Sequence, residues 1–139
     1  LAAWDYPWVK KIIFHLEAAG EPLRLIKAIK HLQNIKVGIA LNPATPVAGV
    51  YPFVKVVDTV LVMTVHPGRN DAPFQHQVLP KIRVLRRRYP TLNIEVDGGI
   101  NPDTGWLCRK AGANLFVVGS YLKNEEFKQR LESLKEALQ

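Results

Sequence analysis

The chain has little sulfur and no long hydrophobic run. It holds one cysteine, Cys108, and one methionine, Met63. A single cysteine excludes an internal disulfide framework and any zinc site built from several cysteines. No apolar run approaches the ~20 residues that a membrane helix needs, and the first ten residues lack the basic-then-apolar order of a signal peptide. We therefore expect a cytoplasmic protein that does not bind membranes.

Composition indicates a single folded domain over residues 1–139. Hydrophobic residues make up 47% and charged residues 22% of the chain, which is the balance of a globular protein. The formal net charge is +7, but no interleaving of aromatic and basic residues accompanies it, so we expect no nucleic acid partner. The basic group from Lys81 to Arg88 is most simply a solvated helix face.

Five short apolar segments are suited to buried parallel strands, because they are rich in Val and Ile and are bounded by Gly, Pro and Asn. They cover residues 11–16, 36–41, 59–65, 92–96 and 114–118. Segments with helical periodicity alternate with them at 21–33, 45–57, 75–89, 101–111 and 125–138. Such alternation predicts an α/β fold with a parallel sheet and crossover helices.

The residues that leave the last two strands carry the strongest chemical signal. Asp97-Gly98-Gly99 follows the fourth strand, and Gly119-Ser120 follows the fifth. Glycines at such positions let backbone N–H groups approach an anion, and a following helix N-terminus adds a favourable dipole. An isolated Asp-Gly-Gly is more often a simple turn, but its position between a strand and a helix that starts with Pro favours a phosphate site, with Asp97 placed to act on a phosphorylated substrate.

Over most of the chain, from about residue 12 to residue 122, the sequence resembles the ribulose-phosphate 3-epimerase family of ribulose-phosphate-binding barrels. The resemblance rests on FHLEA (14–18), KVGIALNPATP (36–46), VLVMTV (60–65), NIEVDGGI (93–100), AGAN (111–114) and VGS (118–120). It implies a (β/α)₈ TIM-barrel type of fold in which these five βα units correspond to family strands four to eight. Since a barrel rarely has fewer than about 200 residues, we expect an incomplete barrel, the carboxyl-terminal part of one.

The resemblance also implies an activity, that of an isomerase in the pentose phosphate pathway. The family interconverts D-ribulose 5-phosphate and D-xylulose 5-phosphate by removing the proton next to the carbonyl on one face and returning it on the other. Two aspartates do this, and a divalent metal stabilises the enediolate between them. Zn²⁺ is the first expectation for the metal, with Fe²⁺, Mn²⁺ or Co²⁺ as alternatives.

Residue by residue, Asp97 matches the family aspartate that serves as acid/base and metal ligand. Met63 matches a methionine that packs on the enediolate. The phosphate-binding positions match Gly98, Gly99, Gly119 and Ser120. The remaining metal ligands, two histidines and an aspartate, belong to family strands that this chain does not match, as does the second catalytic aspartate. We therefore expect these residues alone to be inactive.

One loop departs from the family pattern. Where the family has Pro-Gly-Phe-Gly-Gly-Gln folding over the phosphate, this chain has PGRNDA at residues 67–72. Gly68 is retained, and Arg69 could contact phosphate directly through bidentate hydrogen bonds. Two alternatives therefore stay open: a truncated or diverged non-catalytic homologue that only binds phosphosugars, and an epimerase for another phosphosugar such as allulose 6-phosphate.

The expected partner is a phosphorylated ketopentose. A net charge of +7 fits the attraction of an anionic sugar. Five strands also leave two exposed sheet edges, so association between copies of the chain is a further expectation.

Overall fold

The computed structural model describes residues 8–32, 34–68, 72–123 and 126–139. Within them lie five strands: β1 (Lys11–His15), β2 (Lys36–Leu41), β3 (Thr59–Met63), β4 (Asn93–Asp97) and β5 (Leu115–Val117). The α-helices of the same residues are α1 (Pro22–Lys30), α2 (Leu79–Arg88), α3 (Pro102–Ala111) and α4 (Phe127–Leu138). Short 3₁₀ segments occur at Leu16–Ala18, Val47–Val50, His76–Val78 and Ser120–Leu122.

The strands form one parallel sheet whose order follows the chain, β1-β2-β3-β4-β5. The predicted strands are all confirmed, with ends that differ by at most two residues. Each strand pairs with the next in parallel, so the chain crosses back between every pair. The α/β prediction is confirmed.

All the packed helices lie on one side of the sheet, which we call the helix-covered face. Strand side chains such as Ile39, Val62 and Ile94 are fully buried there, in one cluster with Ile82 of α2 and Cys108 of α3. A second cluster joins α1 to β2 on the same side. Burial of each such aliphatic side chain contributes about 1.5–3 kcal/mol, so this face holds most of the hydrophobic stabilisation.

The opposite side, which we call the inner face, holds a much smaller cluster of Ala40, Leu61 and Met63. Lys11 of β1 donates a hydrogen bond to the Glu95 carboxylate of β4 across two intervening strands. In a flat sheet these strands would be roughly 14 Å apart, so the contact shows that the sheet is curved with the inner face concave. Helices on the outside of a curved parallel sheet are the arrangement of a partial TIM-barrel type of fold.

One predicted helix is wrong. Residues 45–57 form the 3₁₀ segment Val47–Val50 and then successive turns, with i→i−3 bonds such as Tyr51 N–H to Ala48 C=O and Phe53 N–H to Val50 C=O. Pro52 has no N–H to donate within this segment, and proline in a helix interior also clashes with the preceding turn. The tightly wound connection still buries Val50 against the sheet.

Two other helices begin later than predicted. The segment expected from residue 75 starts as 3₁₀ and becomes α-helical only at Leu79, which places Pro80 in the first turn, where its missing N–H costs nothing. The last helix begins at Phe127 rather than 125, and residues 124 and 125 lie outside the described part of the chain. Among the described residues no helix is long and apolar enough to span a membrane.

Candidate functional site

A cleft of about 460 Å³ opens at the carboxyl ends of β4 and β5. It brings together the residues that the sequence singled out after these two strands: Asp97, Gly98, Gly99, Gly119 and Ser120. The remaining lining residues are Val65, Ala72, Ile100, Val117 and Lys123. In parallel α/β proteins this edge of the sheet is where ligands bind.

The Gly98-Gly99 turn needs glycine for two physical reasons. Gly98 has φ +116° and Gly99 has φ +61°, in the region that side chains with a Cβ rarely adopt. A Cβ on Gly98 would also lie 2.4 Å from Cγ2 of Val65. The backbone of β4 therefore passes directly against the end of β3, which only a residue without a side chain permits.

Two threonines hold the carbonyl groups of this turn. Thr64 is fully buried, and both its N–H and its hydroxyl donate to the Asp97 carbonyl at 2.8 Å, while the hydroxyl also contacts the Gly98 carbonyl. From the other side, the Thr104 hydroxyl donates to the Gly99 carbonyl at 2.7 Å. Three successive carbonyl groups are thus occupied by protein donors.

The N-terminus of α3 lies directly behind the turn. Asn101 accepts a hydrogen bond from the Thr104 N–H at 3.0 Å, and the Thr104 hydroxyl accepts from the Asn101 N–H at 2.9 Å, which is a complete capping box. Pro102 occupies the first turn, as the sequence predicted. Thr104 therefore fixes both the start of the helix and the glycine turn in front of it.

Unlike these carbonyl groups, several N–H groups along the cleft have no hydrogen-bond partner in the described backbone. Within the described residues, the N–H groups of Gly99, Gly119 and Ser120 donate to no other backbone group, and all three residues are exposed. Ser120 begins a 3₁₀ segment, whose first N–H groups have no partner inside the segment. N–H donors without a backbone partner on two neighbouring loops are an arrangement that can bind an anion.

Asp97 is the last residue of β4 and pairs in register with Met63 of β3 and Val117 of β5. Partial burial raises the pKa of the Asp97 carboxyl above its ordinary value, and the nearby Glu95 carboxylate raises it further. Met63, 9% exposed, lies beside Asp97 on the inner face. The structure thus places Met63 next to Asp97, where the family resemblance expects them to act together.

The third strand exit is only partly described. Gly68 has φ +93° and is exposed, but it is not among the residues that line the cleft. Arg69, the other phosphate-binding prediction in this loop, lies outside the described residues. Of the described residues of this segment, Ala72 reaches the cleft.

The exit of β2 is held rigidly on the same edge of the sheet. The Glu17 carboxylate accepts from the Asn42 N–H at 2.8 Å and from the Thr45 hydroxyl, and although burial raises the pKa of Glu17, these hydrogen bonds lower it overall. The Lys81 ammonium donates to the carbonyls of Asn42, Pro43 and Thr45. Burial lowers the pKa of Lys81, while the charge of Glu17 opposes that change. This clamp organises the edge without entering the cleft.

The described residues do not form a complete metal site. They contain no group of three or more His, Cys, Asp or Glu side chains that could hold a metal ion. Asp97 offers one carboxylate, whereas a catalytic Zn²⁺ is usually held by three protein ligands. The described donor set therefore does not fit a resident metal.

Sequence reasoning missed three residues that the structure places at the site. Thr64 and Thr104 hold the glycine turn, and Lys123 supplies a cation to the cleft. The signal for Lys123 was available, because it follows Ser120 by three residues and side chains at that spacing share one side of a 3₁₀ turn. Nothing in the sequence distinguishes Thr64 from any other buried strand-end threonine.

The fold and the cleft together define a class: α/β proteins with helices outside a curved parallel sheet and a glycine-lined cleft at the carboxyl ends of the strands. Within that class, the sequence model of the ribulose-phosphate 3 epimerase family matches residues 6–123. The chain belongs to this family, as the motifs predicted.

Curated relatives agree with the family match. The chain is 46% identical over 107 residues to ribulose-phosphate 3-epimerase of Schizosaccharomyces pombe, covering 77% of this chain and 46% of that protein. It is 45% identical over 111 residues to the Bacillus subtilis enzyme of the same name, and the match covers 76% of this chain and 51% of that protein. A rice relative, 43% identical over 111 residues and covering 77% and 48%, is named as the cytoplasmic isoform. The chain spans about half the length of these relatives.

Among solved structures, thiamine phosphate pyrophosphorylase from Pyrococcus furiosus is similar in fold. The TM-score is 0.65 at 18% identity, over 93% of this chain and 59% of that one. At this identity the likeness bears on the fold alone.

Proposed function

We propose that this chain carries the phosphate-binding half and one acid/base carboxylate of a ribulose-phosphate 3-epimerase, which interconverts D-ribulose 5-phosphate and D-xylulose 5-phosphate. One observation carries the proposal: Asp97 shares a cleft with Gly98, Gly99, Gly119 and Ser120. Family membership supports it, since relatives of that name match the same residues.

The phosphate group would be bound by backbone donors. The N–H groups of Gly99, Gly119 and Ser120, which donate to no other described backbone group, would be these donors, while the two threonines hold the carbonyls of the glycine turn. The N-terminus of α3 adds a favourable dipole behind the turn. A bound phosphate would place the sugar toward the inner face, where Asp97 and Met63 lie side by side.

Asp97 would then transfer the proton next to the carbonyl. A carboxyl group whose pKa is raised by burial is better matched to proton transfer near neutral pH than an ordinary aspartate, because its proton affinity is closer to that of the reacting group. Return of a proton to the opposite face requires a second acid/base group. The second aspartate and the divalent metal of the family resemblance remain proposals that the described residues do not supply.

A second candidate function follows from the lack of a second acid/base group among the described residues. With Asp97 as the one carboxylate lining the described cleft, the chain is also consistent with a phosphosugar-binding homologue that performs no epimerisation. An epimerase for allulose 6-phosphate is distinguished from both by its substrate. Cytoplasmic location is proposed on the name of the rice relative alone.

The test begins with binding of D-ribulose 5-phosphate, measured by calorimetry on the chain and on Gly119→Leu. A Cβ on Gly119 meets no atom within 4 Å, and Gly119 lines the cleft, so we expect the Leu side chain to be accommodated and to obstruct the cleft. We expect binding to be lost in Gly119→Leu and kept in Gly20→Leu, a matched control that also has open space around it. Equal binding by both variants would contradict the phosphate site.

Turnover is measured next, with ribulose 5-phosphate and Zn²⁺ supplied and xylulose 5-phosphate consumed by a coupling enzyme. Turnover that Asp97→Asn abolishes while binding persists supports the epimerase and contradicts the non-catalytic homologue. Binding without turnover is expected of these residues under either candidate, because the described residues supply one carboxylate in the cleft and no complete metal site. Allulose 6-phosphate, offered in place of the pentose, tests the remaining alternative.

A further inference from the structure

We infer that Lys123 is a specificity-determining residue of the cleft, which supplies the positive charge that selects a phosphate dianion over an uncharged sugar. The inference rests on the proposed function, because it concerns the same cleft. It adds a side-chain cation to a site that otherwise consists of backbone donors and one carboxylate.

The first argument is the charge of the lining. Among the described lining residues, Asp97 is the acidic side chain and Lys123 the basic one, and the others are apolar, glycine or serine. A phosphate monoester has a second pKa of about 6 and is mostly a dianion at neutral pH. Such a ligand is repelled by an ionised Asp97 in the same cleft, so a cation beside the phosphate-binding N–H groups offsets that repulsion.

The second argument is the local backbone. Ser120–Leu122 is a 3₁₀ segment, closed by the Leu122 N–H to the Gly119 carbonyl at 3.0 Å and the Lys123 N–H to the Ser120 carbonyl at 3.2 Å. In this geometry residues three apart project on the same side. Lys123 therefore extends on the side of Ser120, whose N–H is a proposed phosphate donor.

The third argument is that the segment is anchored from outside the cleft. Arg130 of α4 donates to the Tyr121 carbonyl at 3.0 Å, and its guanidinium lies 5.2 Å from the centre of the Tyr121 ring. Arg130 also pairs with Glu126 at 3.6 Å. Helix α4 thus holds the turn in place while the Lys123 side chain stays exposed and forms no ion pair with another described residue.

The experiment compares Lys123→Met with Lys123→Arg and with Lys36→Met. Lys36 is exposed at the first residue of β2, at the opposite edge of the sheet, so its loss changes the net charge equally without touching the cleft. Affinity is measured by calorimetry for D-ribulose 5-phosphate, for inorganic phosphate and for uncharged D-ribulose. Titration from mildly acidic to neutral pH follows the ligand from monoanion to dianion.

We expect Lys123→Met to weaken binding of both phosphate ligands about fivefold, which is the scale of one exposed ion pair. Lys123→Arg and Lys36→Met should bind nearly as the original chain does, and affinity for D-ribulose should not change. In the original chain affinity should rise as the ligand becomes a dianion, and this rise should be smaller in Lys123→Met.

Two results would overturn the inference, and they are distinguishable. If the chain binds phosphate ligands, Gly119→Leu does not, and Lys123→Met binds as tightly as Lys36→Met, the phosphate site stands and the role of Lys123 is wrong. If the original chain and Gly119→Leu do not differ, the proposed function and this inference both fail.

Discussion

The helix-covered face and the inner face of the sheet differ in what fills them. On the helix-covered face, large aliphatic side chains from three strands and from α2 are fully buried in one cluster with Cys108 of α3. On the inner face, a small cluster of Ala40, Leu61 and Met63 lies beside an ion pair between Lys11 and Glu95. The first face is built for packing, and the second keeps charged groups next to the strand end where Asp97 stands.

This difference has an electrostatic consequence. Glu95 and Asp97 lie two residues apart on β4, so both project toward the inner face. Lys11 pairs with Glu95, and the Glu95 carboxylate adds to the rise in the pKa of Asp97 that burial mainly causes. A helix-covered face that excludes all charge could not tune a carboxyl group in this way.

The largest effect should come from the packed side. Ile94→Ala removes a fully buried side chain from the cluster on the helix-covered face, and the lost burial plus the cavity should cost about 2–5 kcal/mol of unfolding free energy. Urea unfolding followed by circular dichroism measures it. Val117→Ala is the control, because Val117 is 39% exposed and its truncation should change stability by no more than about 0.5 kcal/mol. Similar losses of unfolding free energy in both variants would contradict the proposed difference between the two faces.

An intermediate loss of stability should come from substitution of Thr64, which directly follows β3 and contacts the end of β4. Thr64→Val keeps the shape but removes the hydroxyl that donates to the Asp97 and Gly98 carbonyls. We expect a loss of about 1–3 kcal/mol, since a buried acceptor is left with fewer donors. Thr64→Ser keeps the hydroxyl, whose single proton is shared between the two carbonyls, and should retain both contacts. A Thr64→Val protein that unfolds at the same urea concentration as the original would show that the hydroxyl does not hold the turn.

The smallest effect, with a sign opposite to the others, should come from Asp97. Its pKa is raised in the folded chain, so the folded state favours the protonated carboxyl, and the charge destabilises the fold as pH rises through that pKa. Asp97→Asn should therefore be more stable than the original chain at neutral pH and no more stable at a pH below the ordinary aspartate range.

Thermal unfolding at both pH values measures this difference. In a parallel NMR titration, Glu95→Gln should lower the pKa of Asp97, because one of the two causes of its rise is removed. A Glu95→Gln protein with an unchanged Asp97 pKa would contradict the electrostatic link along β4.

The sequence predicted the strands better than the connections between them. Short apolar runs rich in Val and Ile and bounded by Gly, Pro and Asn favour parallel strands, and each predicted strand was confirmed. Residues 45–57 carry apolar residues at helical spacing as well, but Pro52 and the tight packing of Val50 favour turns instead. The spacing of apolar residues carries no information about the N–H donor that a proline lacks.

At the site, the sequence predicted the residues that can be recognised by their type and by their position directly after a strand. Asp97 and the four residues after β4 and β5 that were predicted to bind phosphate are brought into one cleft. Thr64 escaped prediction because its contribution is a contact across strands, 33 residues from Asp97. Gly68 was predicted by loop resemblance and is not among the described residues that line the cleft.

The order of the sheet has a consequence for how the chain folds. Because neighbours in the sheet are also neighbours in the chain, each new strand and helix can be added to an assembled predecessor, and each strand pairs with the one that precedes it in the chain. The bond between Lys11 and Glu95 is the exception, because it joins residues 84 apart. It can form only after the four strands from β1 to β4 have taken up their curvature, so it closes the assembly as a late, long-range contact.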